Sequence, residues 1–422
     1  MLQYQLKMED APVLHLLDSI ITRGLEENAS DIHLEPGERY CRIRYRVDGV
    51  LQQEQRNIPE ERHGALASCL KLMAGMDIAE KRVPQDGRAQ ITWKDKRVDL
   101  RISSLPTIMG ESVVVRILDS QTGRLSLDEM GFTKEALLRY RTMFQAPYGL
   151  ILLTGPTGSG KTTTLYATLQ ELNRPERNIV TVEDPVEYRM EGINQVAVNL
   201  KAGMTFAGGL RSILRQDPNV IMIGEIRDRE TAAISIQAAL TGHLVFSTLH
   251  TNTAAGAITR LADMGTEPFL IASALRGIVA QRLVRKLCPA CRKKCMSTLS
   301  SLERKRPDSG ITDDFPDRDK CFENGTADGL YGMTEPGEIQ LYEANGCEQC
   351  HQSGYHGRVA IHEVLPISPA LKYKISCRVS EQEIWETARA EFPDLVSLEE
   401  SGLRKVHDGI TSRQELFRVL GV

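Results

Sequence analysis

The chain has 422 residues, 41% of them hydrophobic and 26% charged, which excludes a disordered chain and asks for two or three packed domains. Basic and acidic residues nearly balance, 52 against 56, for a net charge of −4, so composition gives no support for nucleic acid as a partner. No apolar run reaches the roughly 18–20 residues that span a bilayer. Met1–Asp10 lacks the basic and apolar regions of a signal peptide. A cytoplasmic chain is therefore expected, with its nine cysteines as reduced thiols or metal ligands rather than disulfides.

In chain order, Asp10-Ala11-Pro12 predicts a helix start, and Val13, Leu14, Leu17, Ile20 and Ile21 continue it at helical spacing. Arg42–Val47, Asp48-Gly49 and Val50-Leu51 predict a hairpin. Two further strands follow. Val98, Leu100 and Ile102 share one face, with Asp99 and Arg101 on the other; Val113, Val115 and Ile117 alternate with Val114 and Arg116. Residues 1–124 thus read as a small α+β domain, with Gln121-Thr122-Gly123-Arg124 as the linker.

From 125 to 287 apolar strands alternate with helices, as a parallel sheet requires. The predicted strands are Leu150–Leu153, Ile179–Val182, Val220–Ile223 and Leu244–Phe246. Ligands of such sheets bind beyond the carboxyl ends of the strands, and the motifs lie there. Gly155-Pro156-Thr157-Gly158-Ser159-Gly160-Lys161-Thr162-Thr163 contains G-x-x-x-x-G-K-[ST] between a strand and a helix. Its backbone N–H groups would curl around phosphates, Lys161 would meet the β- and γ-phosphates, and the Thr162 hydroxyl would ligate Mg²⁺. ATP and Mg²⁺ are the implied ligands.

Gly224-Glu225-Ile226-Arg227 ends the third strand, where Glu225 is placed to serve Mg²⁺ or the attacking water. Glu183-Asp184-Pro185-Val186-Glu187 ends the second; Glu187 is favoured as the residue that polarises water, with Glu183 as runner-up. His250 follows the fourth strand and can donate to a γ-phosphate, whereas His243 starts that strand at its far end. Arg101 and Arg116 are weaker candidates for a cation supplied to the transition state from another domain.

Cys288-Pro289-Ala290-Cys291 and Cys347-Glu348-Gln349-Cys350 are two C-x₂-C knuckles suited to a closed structural Zn²⁺ site. Cys295, Cys321 and His351 are possible substitute ligands. Residues 296–345 between the knuckles are polar and aperiodic, and read as a flexible insert. The zinc subdomain is expected over 288–360 and a helical region over 361–422, with Leu403, Val406, Leu416 and Val419 at helical spacing.

Taken together, Ala29-Ser30-Asp31-Ile32-His33, Ala79–Arg88, the P-loop, Glu183–Glu187, Gly224-Glu225 and Thr248–Asn252 resemble the type II secretion and type IV pilus assembly ATPases, over nearly the whole chain. Gly242–Leu287 looks closer to the type II secretion members. The resemblance implies a homo-hexamer in which a PAS-like N-terminal domain and a RecA-like domain clamp ATP. It implies phosphate-contacting roles for Arg101 and Arg116, inter-subunit or nucleotide-linked roles for Arg211, Arg215 and Arg227, and a histidine box of His243 and His250. The cysteine knuckles match the family's zinc subdomain. Also implied are inner-membrane platform and recruiting proteins as partners, a peripheral place on the inner membrane, and a further N-terminal domain that this sequence does not contain. The alternatives are a pilus assembly or retraction motor and, less favoured, a DNA-translocating ATPase.

Overall fold

The computed structural model describes residues 11–54, 58–118, 125–298 and 338–421; the expected linker 121–124, Asp10, Cys321 and most of the predicted insert lie outside them. The N-terminal domain is an antiparallel sheet of β1 (Ala29–Glu35), β2 (Tyr40–Val47), β3 (Val50–Gln53), β4 (Ile58–Pro59), β5 (Gln85–Trp93), β6 (Lys96–Thr107) and β7 (Gly110–Leu118). The order is β3-β2-β1-β7-β6-β5, with β4 on β2. The alternation read from sequence holds: Val98, Leu100, Ile102, Val113 and Val115 are buried beneath α1 (Ala11–Glu26) and α2 (His63–Met73). Asp48 and Gly49 both have positive φ, as the two-residue hairpin between β2 and β3 demands.

The second layer system is RecA-like. Its sheet contains β8 (Gly149–Thr154), β9 (Ile179–Glu183), β10 (Asn194–Ala197), β11 (Val220–Ile223), β12 (Leu244–Leu249), β13 (Leu275–Leu287) and β16 (Tyr355–Pro366), in the order β10-β9-β11-β12-β8-β13-β16. All pairs are parallel except β13 with β16. Every residue of β8, β11 and β12 is buried, which is why these strands are apolar throughout rather than alternating. Helices α3 (Lys134–Phe144), α4 (Lys161–Leu172), α5 (Phe206–Ile213), α6 (Arg229–Leu240), α7 (Ala254–Asp263) and α8 (Pro268–Ala274) cover both faces.

Three expectations change. The sheet has seven strands where four were read, because β10, β13 and β16 were missed; the region expected to be helical from 361 opens with the second half of β16. That strand crosses from the cysteine region to complete the ATPase sheet, and only then do α9 (Pro369–Ser376), α10 (Glu381–Glu391), α11 (Leu398–His407) and α12 (Arg413–Leu420) follow. Each starts with a serine, Ser368, Ser380, Ser397 or Ser412, whose hydroxyl accepts from a first-turn N–H; such a cap contributes about 1 kcal/mol. Nor are both ends of the predicted insert irregular: β14 (Lys293–Thr298) and β15 (Glu338–Glu343) pair as an antiparallel ribbon.

Candidate active site

The sheet order decides what meets at the carboxyl ends. β11, β12 and β8 are neighbours, so Glu225 after β11, His250 after β12 and the P-loop after β8 emerge side by side. Helix α4 is capped by Gly160, which has φ 88° and no side chain to occupy the helix N-terminus. A Cβ there would stand 2.8 Å from Gln281 Nε2, and one on Gly155 (φ 151°) would stand 2.4 Å from Gln281 O. Only glycine fits either position, and the first-turn N–H groups of α4 are left for an anion.

Lys161 Nζ donates to Gly155 O at 2.6 Å and to Pro156 O at 3.0 Å. Burial, with the Arg282 charge nearby, brings its ammonium down to about 8, against the opposing pull of Glu225. Thr162 is exposed and Thr163 half-buried, while the Ser159 hydroxyl is buried without a hydrogen-bond partner inside the loop. Pro156, Thr157 and Gly158 form its exposed rim.

Glu225 Oε1 accepts from Arg227 Nη2 at 2.5 Å, and Oε2 lies 3.5 Å from His250 Nε2. The Arg227 guanidinium holds this carboxyl below its usual range, so Glu225 is a charged acceptor at neutral pH. His243, by contrast, stays at the opposite end of β12, with Nδ1 3.0 Å from Ala238 O. The structure therefore separates the two histidines by the length of the strand.

Glu183, the last residue of β9, and Glu187 beyond it differ sharply. Glu183 is buried, accepting from Tyr166 OH, from Thr181 Oγ1 at 2.5 Å and from Gln195 Nε2 at 3.2 Å; burial pushes its pKa up. Glu187 is exposed and lies 3.5 Å from Arg101 Nη2, which also donates to Val186 O at 3.2 Å. Arg101 thus bridges the two domains. Arg116 does not: its Nε donates to Asp31 Oδ1 at 2.9 Å within its own sheet, where the two residues are cross-strand partners. Arg211 on α5 pairs with Glu230, and Arg215, just past the helix, donates from Nη1 to Arg211 O; both side chains are exposed and engaged locally.

Sequence reading missed two residues of the site. Gln281, on β13, is buried; its Nε2 donates to Ser159 O at 2.9 Å and its Oε1 accepts from Thr164 Oγ1 at 2.8 Å, which locks the P-loop to the sheet. Arg282, next in the strand, is also buried and donates to Asn252 O at 3.2 Å and Asn252 Oδ1 at 3.0 Å. A buried polar pair between the apolar runs Ile278–Ala280 and Leu283-Val284 was the available signal, since buried polar groups require partners.

At the far end of β13, Cys288, Cys291, Cys347 and Cys350 place their sulfurs within 4.8 Å of one another. Sγ–Sγ separations are 3.9 Å for Cys288–Cys347, 3.8 Å for Cys291–Cys350 and 3.6 Å for Cys347–Cys350. A tetrahedron with Zn–S bonds of about 2.3 Å has edges of about 3.8 Å, so the cluster fits a zinc ion. The amides of Cys347 and Gly354 both donate to Cys350 Sγ at 3.2 Å, which favours the thiolate a metal needs. Cys295 lies on β14 and His351 is exposed; neither belongs to the cluster.

These features agree with comparisons to known proteins. Residues 7–418 match the family model for type II/IV secretion system proteins. The chain belongs to that family. It is 48% identical over 412 residues to the type II secretion system ATPase E of Vibrio cholerae, covering 97% of this chain and 76% of that protein. It is 45% identical to the type IV pilus assembly ATPase PilB of Myxococcus xanthus, covering 97% and 68%. The Legionella pneumophila ATPase DotB shares the fold, with a TM-score of 0.64 at 20% identity over 95% of this chain and 94% of that one. The chain is a secretion ATPase of this family. Among the described residues no helix is long and apolar enough to cross a membrane.

Proposed function

We propose that the chain is the type II secretion motor: ATP binds the P-loop, and its hydrolysis drives assembly of a pseudopilus. The observation that carries this reading is the convergence of Lys161, Glu225 and His250 at three adjacent strand ends. Lys161 leaves its loop carbonyls for the β- and γ-phosphates, Thr162 ligates Mg²⁺, and Glu225 orders the metal's water or the attacking water. His250 donates to the γ-phosphate from beside Glu225. Glu187 polarises water, and its partner Arg101 carries positive charge from the N-terminal domain toward the phosphates. Arg116 joins after leaving Asp31; Arg211, Arg215 and Arg227 serve a neighbouring subunit or its nucleotide within a homo-hexamer; His243 supports β12 from its other end.

Zinc held by the four cysteines is structural, because all four positions are filled by protein and the ATP chemistry lies elsewhere. The motor works peripherally at the inner membrane with platform and recruiting proteins. The test pairs two variants. Lys161→Ala loses nucleotide binding and turnover together, and Glu225→Gln keeps ATP bound while losing most hydrolysis; normal turnover in Glu225→Gln removes the assignment. The pilus assembly relative favours a second reading, a pilus motor, and a pull-down from native membranes separates the two by the machine recovered.

A further inference from the structure

Glu363 lies on β16, cross-strand from Ala280 of β13, and is 5% exposed. A buried carboxylate is costly unless its partners are well placed. Its hydrogen-bond partners are two backbone amides: Oε1 accepts from Ala254 N at 2.8 Å and Oε2 from Leu398 N at 3.4 Å. These are the first residues of α7 and α11. One carboxylate therefore takes a free N–H from two helix N-termini, whose dipoles favour its charge. Burial pushes its pKa up, with the nearby Arg282 charge opposing.

What makes this pairing consequential is where α7 begins. The segment from His250 to Thr253 runs directly from β12 into α7. At its start, Thr251 N donates to Thr154 Oγ1 at 2.9 Å, beside the P-loop. In its middle, Arg282 grips Asn252. At its end, the Thr253 hydroxyl caps α7 by accepting from Gly256 N and donates to Glu381 Oε2 of α10 at 3.1 Å. Glu363 then holds the first amide of α7 and that of α11 together. The segment bearing His250 is thus fixed on one side by the P-loop and on the other by the C-terminal helices.

We propose that Glu363 is a positioning residue for ATP hydrolysis: by pinning α7 to α11 it holds the His250–Thr253 segment so that His250 faces Glu225, and it makes docking of the C-terminal helices a condition of turnover. This rests on the assignment of ATP hydrolysis to the P-loop.

The test uses the full chain and measures kcat, KM and the affinity and stoichiometry for a non-hydrolysable ATP analogue. Glu363→Gln keeps the side chain's shape but removes its charge and one acceptor. Ala254→Pro removes the α7 N–H while keeping Glu363, at a helix position that tolerates proline and after Thr253, whose φ −127° and ψ 162° suit a following proline; because Ala254 is buried, its thermal melt is measured alongside. Both variants are expected to lose about tenfold or more in kcat while analogue binding stays within about threefold, with Glu363→Ala worse than Glu363→Gln. Wild-type kcat in both variants overturns the proposal, as does loss of analogue binding in parallel with kcat, which marks a merely structural role. Should Glu363→Gln fail to fold, Ala254→Pro carries the test. Lys161→Ala is the control: if it hydrolyses ATP like the wild type, the P-loop assignment falls instead.

Discussion

Arg101 on β6 and Glu187 beyond β9 lie 3.5 Å apart across the junction of the two domains. The pair is partly solvated, so it contributes at most about 1 kcal/mol to stability; its significance is positional. We expect Arg101→Ala to leave the melting temperature within about 2 °C and to lower kcat well below wild type. A chain starting at Leu125 keeps the P-loop and is expected to be nearly inactive. Steady-state ATPase assays beside thermal melts check both, and an active truncation would show that the first domain adds nothing to the chemistry.

Glu183 and Glu187 are expected to separate by substitution. Glu183 is enclosed by Tyr166, Thr181 and Gln195, so Glu183→Gln costs about 1–3 kcal/mol of stability and keeps turnover within about threefold. Glu187→Gln leaves stability alone and removes most turnover. Denaturant melts and kcat on the same preparations assign the roles, and the reverse outcome exchanges them.

Lys161 gives a pH signature. In the free protein its ammonium sits at about 8, and a bound polyphosphate raises it by favouring the charged form. The nucleotide complex therefore binds a proton that the free protein has lost at pH 9, while at pH 7 both states hold it. ATP affinity falls as pH rises through 8, by up to about tenfold per unit. Calorimetry at pH 9 in buffers of different ionisation enthalpy should show proton uptake approaching one per site; none at pH 9 would mean that Lys161 does not meet the phosphates.

Metal analysis should find about one zinc per chain. Cys347→Ser with Cys350→Ser is expected to lose it and to speed amide exchange over 347–358, while nucleotide still binds at Lys161. Removing most of 299–337 should leave the zinc in place, because the ribbon of β14 and β15 already brings the knuckles together. Loss of zinc on that deletion would point to Cys321 as a ligand.

How much of this could be read beforehand depends on the reach of each signal. The P-loop was legible because glycines, lysine and threonine act within one turn, and the strand-end acids because β9 and β11 are short apolar runs with polar stops. β13 was not: Ala274 of α8 passes straight to Leu275 of β13, and the nearest break signal, Arg276-Gly277, falls inside the strand rather than before it. The pairing of Arg116 with Asp31 could not be read, because nothing local reveals Asp31, which reaches it only through the pairing of β1 with β7. Gln281 and Arg282 stayed hidden for the same reason as the strand that carries them.

The order in which the chain is made gives β16 a further significance. Leu287 at the end of β13 pairs with Tyr355 at the start of β16, so the ATPase sheet keeps an open edge during synthesis until the chain has passed the second cysteine knuckle. Closing so long a loop is entropically costly and slow, and an unpaired β13 is a template for aggregation. A metal ion held by Cys288, Cys291, Cys347 and Cys350 would turn that long closure into a short one, delivering Tyr355 beside Leu287. Zinc supply during growth would then govern the yield of native protein, although the cysteine cluster lies at the far end of β13 from the P-loop.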